Sequence, residues 1–427
     1  MARTVGRLKR VYTFLSRLLG IDAAYFIKGG FWTFVGQGGR ALLSGLLLIV
    51  LTQTLPQEAV GQYKFFMSVL LSLMIFSLPA MHNSVVQSVA RGHDRSFLAG
   101  VKYRVIASTL GSLALVGVAA YFWHNGDGSA KYFLIGALFF PFYLSFQTTY
   151  SYLLAKREFK KSGLYLIGQL LVTNGAIFAA LLLTDSLLVI ISTAVISQSV
   201  SLAVVFLIVR AKYQKDIASS TEDPGLLKYT LQLTSYGFLP AITAHIDNII
   251  LLYFLGADNL ALYVVAMTLP KQNLLVVDPL ARVLLPKLSA VRDAPKLFKA
   301  IRKKLPLVTG LSLLVNGLGV IITPLVITLL FPPSYAPSIG YAQLGFLVFL
   351  FIYPQRVLYD FLIAQKRTKG LFKLGLYPSL LKTGLLFILV PLWGIVGAIA
   401  ARALARYGEF AMTYFYASRY AQEKKDL

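Results

Sequence analysis

The segments LPQEAVGQY (55–63) and LGADNLALY (255–263) carry Leu, acidic, aliphatic, small and Tyr residues at matching positions, about 200 residues apart. A second pair, LLAKR (153–157) and LIAQK (362–366), repeats further along. The first pair lies in the hairpin after the opening apolar run of each half, and the second closes the fourth run. Both matches keep the same side of a membrane. The chain therefore reads as two parallel six-helix repeats related by an axis along the membrane normal, around a central cleft, which is a transporter's architecture.

The surrounding composition agrees. Of 427 residues, 57% are hydrophobic and 14% charged, and mean hydropathy is +0.70. A soluble domain carries about a quarter charged residues, so that class is excluded. Runs able to span about 30 Å of hydrocarbon at about 1.5 Å per residue fall near 29–54, 63–90, 98–123, 131–155, 162–183 and 186–210. Six more fall near 226–254, 259–286, 305–330, 337–364, 371–392 and 393–418. The expected fold is an all-α integral membrane protein of about twelve helices in two six-helix bundles. Cysteine is absent, and His82, His93, His124 and His245 lack ligand spacing. No metal, cofactor or catalytic residue is expected.

The net charge of +24 would suggest nucleic acid in a soluble chain, but here the surplus sits in alternate connections and reports topology. One side collects Arg91, Arg95, Lys102 and Arg104, then Lys156, Arg157, Lys160 and Lys161, then Arg210, Lys212, Lys215 and Lys228. It continues with Lys287 to Lys304, Lys366 to Lys373, and Arg419 to Lys425. The other side holds only Lys64 and Lys131 beside Glu58, Asp127, Asp185 and Asp258. Both termini are thus expected in the cytoplasm, with no nucleic-acid partner. The expected divisions are an amphipathic segment 1–28, a bundle 29–210, a linker 211–225, a bundle 226–418 and a tail 419–427. None of the connections is long enough for a catalytic or nucleotide-binding domain, so function resides within the helices and the chain is not expected to be an enzyme.

LPQEAVGQY, SYLLAKREFKKSGLY (151–165) and YGFLPAITAHIDNIILLYFLGADNLALYVVA (236–266) resemble the polysaccharide (O-antigen-type) flippases of the multidrug/oligosaccharidyl-lipid/polysaccharide (MOP) exporter superfamily, nearly end to end. The resemblance implies translocation of an undecaprenyl-diphosphate-linked saccharide across the bacterial inner membrane for surface polysaccharide synthesis, by alternating access. It implies as partners the lipid-linked oligosaccharide, the bilayer, polysaccharide polymerase and glycosyltransferases. It also implies that helices one, two, seven and eight line the cleft, with eleven and twelve more peripheral.

Charges within spans cost roughly 2.5–3.5 kcal/mol each at helix centre, so each needs a reason. Arg40, in the run VGQGGR (35–40), Lys271, Arg282 and Arg356 are the candidate cleft cations for an anionic head group. Lys271, Asp278 and Arg282 share one helical stripe, which serves either substrate or a structural ladder. Asp247 and Asp278 are candidates for pairing or ion coupling, with Arg40 or Lys271 as the expected partner of Asp247. Arg356 and Asp360 are spaced for an intrahelical pair. Gln37, His82, Asn83 and Gln147 are candidate sugar contacts that equally serve to join helices. Arg402, Arg406, Glu409 and Lys382 read as a structural cluster or a lateral groove for a lipid tail. The alternative function is a cation-coupled multidrug exporter of the same superfamily, which would favour acids over cations in its cleft. A membrane glycosyltransferase or polymerase would need a catalytic loop that the short connections cannot build.

Overall fold

The computed structural model describes residues 23–275, 277, 288–289, 291, 293–365 and 368–423. In the first half, α1 (Ala23–Thr54), α4 (Ser96–His124), α7 (Phe159–Leu183) and α8 (Leu187–Lys212) are continuous. Two spans between them are interrupted. The second runs as α2 (Gln57–Ser72), a 3-10 turn at Leu73–Ser77 and α3 (Met81–Ala90); the fourth runs as α5 (Ala130–Tyr143), a turn at Ser145–Gln147 and α6 (Thr148–Ala155). Proline explains the first break, because it disfavours helix in the residue before it: Leu78, directly before Pro79, takes φ +49°. Pro141 lies inside α5, two residues before its end at Tyr143.

A short helix, α9 (Gln214–Ala218), opens the link to the second half. The link is fastened to the first half. The Ser88 hydroxyl donates to Asp223 Oδ2 at 2.6 Å, the Asp223 amide donates to Ser96 Oγ at 2.9 Å, and the Ser220 hydroxyl donates to the Gly92 carbonyl at 2.8 Å.

The second half comprises α10 (Leu226–Thr243), α11 (Ile246–Lys271), α12 (Ala294–Leu330), α13 (Ser338–Leu347), α14 (Ile352–Ala364) and α15 (Thr368–Glu423). Helical stretches of 50 residues (Leu226–Leu275) and 53 residues (Gly370–Gln422) are more than twice the roughly 20 that one span needs. Glycine breaks each: Gly256 adopts φ 81°, ψ 177° and Gly394 φ 57°, ψ −133°, conformations a Cβ strongly disfavours. Among the described residues, eight helices are long and apolar enough to cross a membrane, or nine when α13 and α14, bent by 40°, count as one span.

Burial follows the repeat. One apolar core joins the halves around the 55–63 and 255–263 turns, through Leu51, Val60, Tyr63, Leu251, Leu260 and Tyr263. At the other end each half closes on a separate cluster, around Met81, Phe97 and Tyr152 in the first and Phe298, Phe361 and Tyr420 in the second. The shared end is tight. A Cβ on Gly61 would lie 1.9 Å from the Ala257 carbonyl oxygen, Gln57 Nε2 donates to the Asp258 carbonyl at 3.1 Å, and Asn248 Nδ2 donates to Ser68 Oγ at 2.8 Å.

Candidate functional site, a basic cavity in the C-terminal half

The polar side chains of the second half converge on a cavity of about 520 Å³ walled by the end of α10, by α14 and by both arms of α15. Its charged lining is Arg356, Lys382, Arg402, Arg406 and Glu409, four cations against one carboxylate. Helical spacing explains the set: Arg402, Arg406 and Glu409 recur every three to four residues on the second arm of α15, hence on one face. The break at Gly394 folds that arm back beside Lys382 on the first arm.

Each cation is anchored differently. Arg356 Nε lies 3.1 Å from Asp360 Oδ1 on its own helix, which is the intrahelical pair expected from the spacing. Arg406 Nη1 and Gln355 Nε2 both donate to the Glu409 carboxylate at 3.0 Å, tying α15 to α14. The Lys382 ammonium donates to the carbonyl of Thr243, the last residue of α10, where a cation meets the unsatisfied carbonyl end of a helix. Arg402 Nε sits 3.4 Å from Asp247 Oδ2, and that oxygen also accepts the Tyr263 hydroxyl at 2.6 Å. Arg402 Nη1 is buried with no hydrogen-bond partner among the described residues.

The structure revises several expectations. Asp247 is buried and pairs with Arg402, not with Arg40 or Lys271; Lys271 and Lys382 act on it only through their fields. The fold-back at Gly394 thus sets Arg402 of the second arm of α15 against Asp247 of α11. Arg40 is half-buried in the other half, with its charge felt by Tyr143 and Tyr150. Of the glycines before it, Gly36 packs closely, a Cβ there lying 3.3 Å from Leu166, whereas one on Gly39 would make ordinary contact with Ile167 at 3.6 Å and one on Gly38 would meet nothing within 4 Å. Lys271 is half-buried at the end of α11. Asp278 and Arg282 lie outside the described residues.

Of the proposed sugar contacts, Gln37 and Asn83 are exposed and Gln147 is half-buried in the turn between α5 and α6. His82 joins helices, its Nδ1 lying 2.7 Å from Ser151 Oγ of α6. Arg104, counted above among the connection charges, is buried inside α4. Its depth was legible only as its place at the seventh position of the third apolar run.

A model of the family described as polysaccharide biosynthesis protein matches residues 26–292. An inward-facing multidrug resistance MATE transporter of the MOP superfamily superposes with a TM-score of 0.70 at 14% identity, over 90% of this chain and 96% of that one. An outward-facing MATE transporter gives 0.67 at 13% identity, over 94% and 96%. A MOP superfamily transporter from Pyrococcus furiosus, described as having a binding pocket of reverse polarity that suggests a different function, gives 0.62 at 14% identity, over 92% and 95%. No curated protein matches the sequence significantly. The family match covers well over half of the chain, so the protein belongs to the polysaccharide biosynthesis protein family and has the fold of the MATE transporters of the MOP superfamily.

Proposed function

We propose that the protein is a flippase that moves an anionic, undecaprenyl-diphosphate-linked saccharide across the bacterial inner membrane for surface polysaccharide synthesis. The observation that carries this reading is the cavity lining of four cations and one carboxylate. Guanidinium groups bind phosphate oxygens through paired N–H donors, and Arg402 Nη1 is a buried donor without a protein acceptor among the described residues. With the paired acids Asp247 and Asp360 counted beside Glu409, four cations meet three carboxylates, a net basic balance that weighs against a cation-coupled exporter.

In this mechanism the chain has twelve spans, with the bundles at 29–210 and 226–418 joined by the 211–225 linker, both termini cytoplasmic and the 55–63 turn outside. The shared core at the outer end and the separate cores at the inner end then correspond to a cleft open to the cytoplasm. The diphosphate enters that cleft and is held by the C-terminal cations, with Arg40 and Lys271 adding positive field, and the prenyl tail stays in lipid. Rocking of the bundles exposes the head group outside. With a potential negative inside, outward movement of about two negative charges gains roughly 4–5 kcal/mol per 100 mV. Glycosyltransferases supply the substrate and a polymerase consumes it.

Complementation tests the reading. In a strain lacking its own lipid-linked-saccharide flippase, the wild type is expected to restore surface polysaccharide, and Arg402→Gln and Arg406→Gln at matched membrane levels are not. Failure of the wild type across several polysaccharide systems, together with lowered accumulation of a cationic dye, would transfer the assignment to the drug exporter.

A further inference from the structure

In each half one buried polar side chain on the long helix between two helix breaks reaches toward both breaks. In the first half that residue is Arg104 on α4, 3% exposed. Its Nε donates to the Ser77 carbonyl at 2.8 Å and its Nη2 to Ser77 Oγ at 3.3 Å, at the break between α2 and α3. Its Nη1 donates to Thr148 Oγ1 at 3.3 Å, at the break between α5 and α6. In the second half the residue is Asn316 on α12, 1% exposed. Its Oδ1 accepts from Asn273 Nδ2 at 3.2 Å, just past the end of α11 at Lys271, and its Nδ2 donates to the Ser312 carbonyl of its own helix at 2.8 Å and to the Phe349 carbonyl at 3.3 Å, in the bend between α13 and α14.

The chemistry explains why such residues are present. A helix interrupted in hydrocarbon exposes backbone carbonyls that no water satisfies, so protein donors must. Arg104 does this at the cost of a buried charge whose three hydrogen bonds all go to neutral oxygens. A guanidinium offers a rigid fork of donors long enough to serve two breaks at once. The segments beyond the breaks are also tied to each other: His82 of α3 to Ser151 of α6, and Tyr353 of α14, whose hydroxyl donates to Asn273 Oδ1 at 3.2 Å.

We propose that Arg104 and Asn316 are a pseudo-symmetric pair of clamps: Arg104 couples the two broken helices of the first half, so that α3 and α6 turn as one body, and Asn316 makes the corresponding link in the second half between Asn273 and the bend of α13 and α14. The inference concerns moving parts and not cargo, so it goes beyond the flippase reading and stands or falls separately from it.

Hydrogen–deuterium exchange on the full-length protein in lipid nanodiscs tests it. In Arg104→Gln, exchange at both 73–80 and 144–148 is expected to rise about ten-fold, the scale of one lost buried hydrogen bond, with 270–275 and 345–352 unchanged. Asn316→Ala is expected to give the mirror image. Thr148→Val removes one arm of the first clamp and also the bond of the Thr148 hydroxyl to the Ser145 carbonyl at 2.9 Å, so 144–148 rises by local loss alone; a rise at 73–80 as well is the coupled result, and it decides the matter if Arg104→Gln does not accumulate. Exchange that rises at only one break in Arg104→Gln, Asn316→Ala or Thr148→Val, or equally in both halves, would overturn the coupling.

Discussion

Asp247 is the residue on which the interior electrostatics turn. Its side chain is 2% exposed and that of Arg402 17%, so neither charge is free to take up water if the other is removed. Arg402→Met should therefore lower stability by about 3–5 kcal/mol, the scale for breaking a buried pair. Asp247→Asn combined with Arg402→Gln should recover much of that loss, and the thermal unfolding midpoint in detergent reads both. At the linker, the Ser88 hydroxyl and the Gly225 amide hold the Asp223 carboxyl below its ordinary value. A depressed carboxyl stabilises the docked linker above its ordinary pKa, and that contribution is lost as pH falls through the lowered one. Protection of 211–225 from protease should thus persist from pH 7 to 5 and weaken only below about 4; release near pH 6 would contradict the assignment. Sequence alone located Asp247 and Arg402 as charges needing partners, but not as partners of each other. They lie far apart in the chain, and only the backbone reversal at Gly394 brings them together. The Arg356–Asp360 pair was legible because helix periodicity dictates it.

At the scale of elements, the breaks carry as much information as the helices. The run 63–90 reads as one span by hydropathy, yet its backbone leaves the helix at Leu78, and Pro79 was the mark of it. The apolar runs around Gly256 and Gly394 were separable in the sequence only by short turn signals, and the structure interrupts both helices there. The tightest element contact is Gly61 of α2 against the backbone of Ala257. Gly61→Ala has no flexible side chain to displace, so it should cost about 1–3 kcal/mol by overpacking and weaken the contact between the halves at this end. A lowered unfolding midpoint with faster exchange at 255–260 is the expected signature. Gly117→Ala, where a Cβ meets nothing within 4 Å, serves as the control.

For the whole molecule, the two bundles expected from the repeat belong to the proposal; the structure describes one apolar core drawn from both halves of the chain and two separate clusters. The cavity was not legible, because four of its walls come from helices that hydropathy orders along the chain but cannot arrange around an axis. Orientation is testable directly because the chain has no native cysteine. In intact cells an impermeant maleimide should label Asp127→Cys at once and Lys299→Cys only after permeabilisation, as the distribution of Lys and Arg predicts. The most direct test of the central claim is translocation in proteoliposomes containing a fluorescent undecaprenyl-diphosphate saccharide, scored by accessibility to an added saccharide-cleaving enzyme. Wild-type protein should move the lipid between leaflets, and the triple variant Asp247→Asn/Arg402→Gln/Lys382→Gln, which leaves no buried carboxylate without its partner, should not, with both folded by thermal unfolding. Equal translocation by the folded triple variant would contradict the cationic cavity as the head-group site.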